Sequence, residues 1–91
     1  MTDAAFINAA IARNDFKLAF GYARDLVRSG TNTSETDRLM HVAHAHVLIA
    51  KGEAAPRANA PSYYAQAAQC AFIAGDTWLY DRAVSLEKAH R

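Results

Sequence analysis

Two short junctions leave this 91-residue chain little choice of architecture. The first reads Arg13-Asn14-Asp15-Phe16 and the second Ala74-Gly75-Asp76-Thr77-Trp78, each set between apolar residues at helical spacing. At both, a residue that tolerates left-handed backbone ends one helix, and an aspartate able to cap the next follows at once. A turn that tight cannot let its helices separate, so each junction predicts an antiparallel helical hairpin. The expected fold is all-α: five antiparallel helices, with hairpins 1–2 and 4–5 bridged by helix 3.

Apolar periodicity predicts the helices over 3–13, 15–29, 35–51, 62–74 and 77–89 of a single domain. Helix 1 gathers Phe6, Ile7, Ala10 and Ile11 on one side. Helix 2 has the clearest pattern, with Phe16, Ala19, Phe20, Ala23, Leu26 and Val27 on one face and Lys17, Gly21, Arg24 and Arg28 opposite. Gly30 should stop it, and Ser34 should cap the third helix with Asp37 three residues on. Helix 3 turns Leu39, Val42, Ala43, His46, Ile49 and Ala50 to one face, and Gly52 is expected to end it. Residues 52–61 contain both prolines and read as the longest linker. Tyr64, Ala68, Ala71 and Phe72 are expected inward on helix 4, as are Leu79, Ala83 and Leu86 on helix 5. Period-two alternation, the mark of a strand, is absent.

Composition shapes the core more than its size. Apolar residues make up 52% of the chain, yet 21 of them are alanine, leaving 26 larger side chains. Alanine favours helix and lets helix axes approach closely, so thin stacked helices are expected rather than a bulky bundle. A core this modest also gains from docking on a partner or on a second copy.

Net charge is +1, and basic and acidic residues are near-equal in number in each third of the chain. That balance argues against a dedicated nucleic-acid module, which shows a basic excess on one face. Asp3 breaks a start lacking the basic region of a signal peptide, and no apolar run approaches membrane-spanning length. One cysteine, Cys70, cannot form an internal disulfide, and the expected compartment is cytoplasmic.

The two junctions resemble the inner turn of a tetratricopeptide repeat, a glycine-aspartate-aromatic step followed by a small residue. In the first unit Asn14 stands for the glycine, Phe16 for the aromatic and Ala19 for the small residue. In the second, Tyr64 takes the early aromatic position, Ala68 the small one, and Gly75-Asp76 the turn. Ile7 and Tyr80 depart from this pattern, and the two aspartates lie 61 residues apart, not a multiple of the usual repeat of about 34. The resemblance implies an irregular tetratricopeptide-like, right-handed stack, with a small orthogonal bundle as the alternative. It implies a groove for a protein segment and no catalytic residue.

Chemistry-bearing groups are sparse. His41 and His44 follow Asp37 on one polar face of helix 3, a partial metal-ligand set without a second cluster; an Asp37–His41 pair on a solvated face is the simpler account. His46 falls among Leu39, Val42 and Ile49, as a core or interface histidine bonded to a carbonyl or tyrosine hydroxyl, with a pH-sensitive packing position as the alternative. Cys70 has no basic neighbour in sequence to activate it. No acid/base pair, nucleophile or phosphate loop is found, so neither catalysis nor a cofactor is expected.

Binding is the remaining class. The stripe Lys17, Arg24 and Arg28, with Arg13 near its end, suits an acidic protein surface or a phosphate backbone. Trp78 leaves the Leu79–Ala83–Leu86 face toward Arg82, which could stack on its ring, and Tyr63 points off the face of Tyr64. These residues suggest a non-enzymatic protein–protein interaction module whose partner is another protein or a second copy. Nucleic-acid binding through the stripe is the alternative, and metal binding through Asp37, His41 and His44 a more distant one.

Overall fold

Three left-handed residues set the path of the chain. The computed structural model describes residues 2–91 as α1 Asp3–Ala12, α2 Phe16–Ser29, α3 Ser34–Ala54, α4 Ala60–Ala74 and α5 Thr77–Ala89. Asn14 follows α1 with φ 62°, Gly30 follows α2 with φ 75°, and Gly75 follows α4 with φ 72°. In each case the next amide turns back to a carbonyl five residues earlier: Asp15 to Ala10 at 2.9 Å, Thr31 to Leu26 at 2.9 Å, Asp76 to Ala71 at 3.0 Å. That closure satisfies helix-end carbonyls and reverses the chain. The expected all-helical fold is therefore observed, five helices packed against one another in a body of 41 × 23 × 22 Å. No helix among the described residues is long and apolar enough to cross a membrane.

Helix starts differ from expectation. Asp76 accepts the Leu79 amide at 3.0 Å and caps α5, but Asp15 makes no side-chain cap on α2. The cap of α3 is Thr33 rather than Ser34. Thr33 Oγ1 accepts from the Thr36 amide at 3.1 Å while Thr36 Oγ1 accepts from the Thr33 amide at 2.8 Å, a reciprocal capping box. Asp37, freed of that duty, accepts the Asn32 side-chain amide through both carboxylate oxygens at 2.9 Å.

The largest boundary correction is at Gly52, which does not end the third helix. It is buried inside α3, and the missing side chain leaves room for the Tyr64 ring: a Cβ there would lie 2.6 Å from Tyr64 Cε1. Helix α3 continues to Ala54, and α4 starts at Ala60 with Pro61 in its first turn, where the absent amide hydrogen costs nothing. The linker thus shrinks to residues 55–59 and is tied to the far end of α5 by Arg57, whose guanidinium donates to the Ala89 carbonyl at 3.2 Å.

Helix α3 is central because it is apolar on two sides. Leu39 and Ala43 join Ile7, Ala10, Ala19 and Ala23 in a core shared with α1 and α2. Val42, Ala45, Leu48 and Ile49 join Tyr64, Ala67, Ala71, Leu79 and Ala83 in a second core shared with α4 and α5. The sequence expectation of one apolar face on α3 misses this second face, and Ala50, assigned to the first, is exposed. Alanines fill the helix contacts, and the largest fully buried side chains are Tyr64, Ile7 and Leu79. Tyr22 binds α2 to the start of α1, its hydroxyl donating to Asp3 Oδ1 at 2.6 Å.

Candidate functional site

Two surfaces stand out, at opposite ends of the helix order. The first straddles the α4–α5 turn. Six large apolar side chains are exposed among the described residues, and four of them, Phe72, Ile73, Trp78 and Tyr80, fall within residues 72–80. Phe72, expected inward, is 73% exposed. It follows the buried Ala71 by one residue, or about 100° around the helix, which carries it past the edge that α5 covers. Its ring sits 6.0 Å from that of Tyr80, beside a recess of about 280 Å³ reaching to Gly75 and Thr77. Trp78, 68% exposed, precedes Tyr80 by two residues and so leaves α5 on the other flank. The Arg82–Trp78 stack expected from their spacing is not formed; among the described residues the guanidinium over a ring is that of Arg24, 5.6 Å from the Phe20 centroid. Tyr63 is half-buried and packs on the second core.

The second surface is a groove of about 410 Å³ between the α1–α2 turn and the C-terminal half of α3. Phe16, Val47 and Ala50 supply apolar walls, and Lys17 and Lys51 are exposed at its margins. His46 lies against Phe16, the rings 4.1 Å apart and inclined by only 6°. The carbonyl or hydroxyl partner expected for His46 is replaced by this aromatic face. Burial holds its imidazole below the ordinary value of 6.5, the nearby Arg82 charge acting in the same direction and Asp76 opposing it.

The basic stripe is dispersed by its neighbours. Lys17 borders the groove, Arg24 lies over Phe20, and Arg28 sits 4.0 Å from Asp25 on an open face. Arg13 caps the end of α1 and is exposed. The partial metal set does not assemble either. Asp37 is engaged by Asn32 rather than His41, and His44 turns to Phe20, ring centroids 4.5 Å apart. No three metal-ligating side chains converge among the described residues.

One pairing escapes any sequence reading. His44 Nδ1 lies 3.6 Å from Cys70 Sγ, joining residues 26 positions apart across the α3–α4 contact. Burial raises the Cys70 thiol above its ordinary value and lowers His44, the latter helped by the charges of His41 and Lys51. Both shifts favour the neutral thiol and neutral imidazole over a thiolate–imidazolium pair. The contact packs α3 against α4.

The depressed histidines make stability pH-dependent. Folding favours neutral His44 and His46, so their contribution is present above 6.5 and is lost as pH falls through the unfolded value toward the folded ones. Melting temperature is expected to drop between about pH 7.5 and about pH 5, with a shallower slope when both residues are replaced by glutamine. Identical slopes in calorimetry would show that neither ring is held neutral by the fold.

No protein-family model matches this chain, and neither a curated protein nor a solved structure does.

Proposed function

We propose that this is a non-enzymatic protein–protein interaction module, an adaptor, chaperone or small inhibitor that occludes a larger complex. Its helical hairpins would present side chains to a partner in the manner of the tetratricopeptide-like turns they resemble. The observation carrying this reading is the exposure of Phe72, Ile73, Trp78 and Tyr80 around one turn. Large aromatic side chains left in water by a small chain are anchors for another surface, and tryptophan and tyrosine dominate such contacts. Phe72 and Trp78, the most exposed of the four, lie outside both cores, so folding does not account for them.

Support for nucleic-acid binding is weaker, because Arg24 is drawn onto Phe20 and Arg28 toward Asp25. The test is affinity capture from the native cell extract with quantitative mass spectrometry, comparing the protein with a Phe72→Ala/Trp78→Ala variant. Loss of two anchors is expected to reduce specific capture by at least about 30-fold, the equivalent of one interface hot spot. Equal recovery of every captured protein by a variant of unchanged melting temperature rules out this surface.

A further inference from the structure

The groove beside Phe16 has a chemistry different from the aromatic turn. Its walls are apolar, formed by Phe16, Val47 and Ala50, with the flat His46 ring stacked behind Phe16. A pocket of about 410 Å³ is large enough for one or two bulky side chains. Lys17 and Lys51 come from different helices yet border the same depression, and among the described residues neither takes part in an ion pair. Asp15 is the only carboxylate in the lining. The positive end of α2, which Asp15 leaves without a side-chain cap, adds to the field of the lysines. At His46 the charges of Arg82 and Asp76 oppose one another, so the basic character of the groove rests on the two lysines.

We propose that this groove docks an acidic amphipathic segment of a partner protein, an apolar side chain resting on Phe16, Val47 and Ala50 and flanking carboxylates meeting Lys17 and Lys51. The occupant follows from charge complementarity. An apolar depression alone accepts any hydrophobic side chain, but two unpaired ammonium groups at its margin favour a segment carrying carboxylates and repel a basic one. Lysine suits this position, since its flexible stem covers apolar surface while the ammonium stays in water and meets a carboxylate at the rim. The groove is separate from the Phe72–Tyr80 surface, so the inference stands whether or not that surface binds a partner.

The probe is a fluorescein-labelled helical peptide of about 14 residues, with leucine at i, i+4 and i+7 and glutamate at the flanking positions. Its control has lysine in place of every glutamate. Anisotropy titration is expected to show saturable binding of the glutamate peptide, at least tenfold tighter than the control, weakening as salt rises from about 0.02 M to about 0.5 M. Amide shifts in NMR should centre on Phe16, Lys17, Val47 and Lys51. Lys17→Glu/Lys51→Glu should weaken binding by at least about tenfold, and Phe72→Ala/Trp78→Ala should leave it unchanged. Both lysines are exposed, so the first variant is expected to keep the parent melting temperature. Absence of saturable binding overturns the proposal, as does equal affinity for the lysine control. Shifts centred on residues 72–80 overturn it too, and so does a concentration-dependent dimer that perturbs the groove amides before peptide is added.

Discussion

Replacing Tyr64 by alanine is expected to destabilise the protein by about 3–5 kcal/mol, the range for removing a large aromatic side chain from a core. Tyr64 is 1% exposed and is the largest of the fully buried side chains. It sits in the core of α3, α4 and α5, with the His90 ring 5.1 Å away and Gly52 directly against it. The surrounding residues are mostly alanines, which have no rotamers with which to fill the space. A chain of this length has a total stability of about 5–14 kcal/mol, so the loss is a large share of the whole. Urea denaturation should show a lower midpoint with an unchanged slope. A loss below about 1 kcal/mol would mean that the ring does not occupy the core as described.

For Gly52→Ala the sign of the stability change separates two opposing contributions. Alanine in a helix interior gains about 1 kcal/mol over glycine from propensity alone. Against that, the new Cβ would lie 2.6, 2.9 and 3.0 Å from three atoms of the Tyr64 ring. The ring has nowhere to go, and overpacking of this kind costs about 1–3 kcal/mol. A net destabilisation of up to about 2 kcal/mol is expected. Gly21 provides the internal control, because a Cβ there meets nothing within 4 Å and α2 continues through it. Gly21→Ala should stabilise by up to about 1 kcal/mol. If Gly52→Ala stabilises as Gly21→Ala does, the close approach of α3 and α4 is wrong. Adding Tyr64→Leu should remove most of the penalty at Gly52, a coupling that a double-mutant cycle measures directly.

These two residues also explain where reading the chain succeeds and where it stops. Gly75 and Asn14 end helices, and each does so through left-handed backbone, a property that belongs to the residue itself. Gly52 carries the same local signal and does the opposite, because its role is to admit a ring twelve residues later in the chain. Nothing local distinguishes a glycine that stops a helix from one that lets another element close in. Pro56 and Pro61 reinforce the error: two prolines in six residues read as linker, yet Pro61 lies in the first turn of α4. The cap of α3 misleads in a smaller way, since Thr33 and Ser34 are adjacent hydroxyl residues and only the reciprocal bonds with Thr36 select the first.

The candidate surfaces divide along the same line. Trp78 leaves the apolar stripe of its helix, so its exposure is foreseeable from spacing. Phe72 does not, because its position one residue beyond Ala71 looks inward until the limited reach of α5 is known. Lys17 belongs to a basic face in sequence, but its association with Lys51, His46 and Val47 depends on how α2 lies across α3. The Cys70–His44 contact is likewise invisible to any pattern of spacing, since it spans two helices.

What the residues determined alone is the local part of this protein: among the described residues, five helices and no strand, two tight reversals and a core built largely of alanine. Periodicity and backbone preference act within a few residues, and that range is sufficient to set them. Which helix is buried on both sides, where a glycine replaces a side chain, and which charges share a groove were decided only when the helices packed. Those outcomes depend on contacts between residues far apart in the chain, and close packing fixes them jointly rather than one residue at a time.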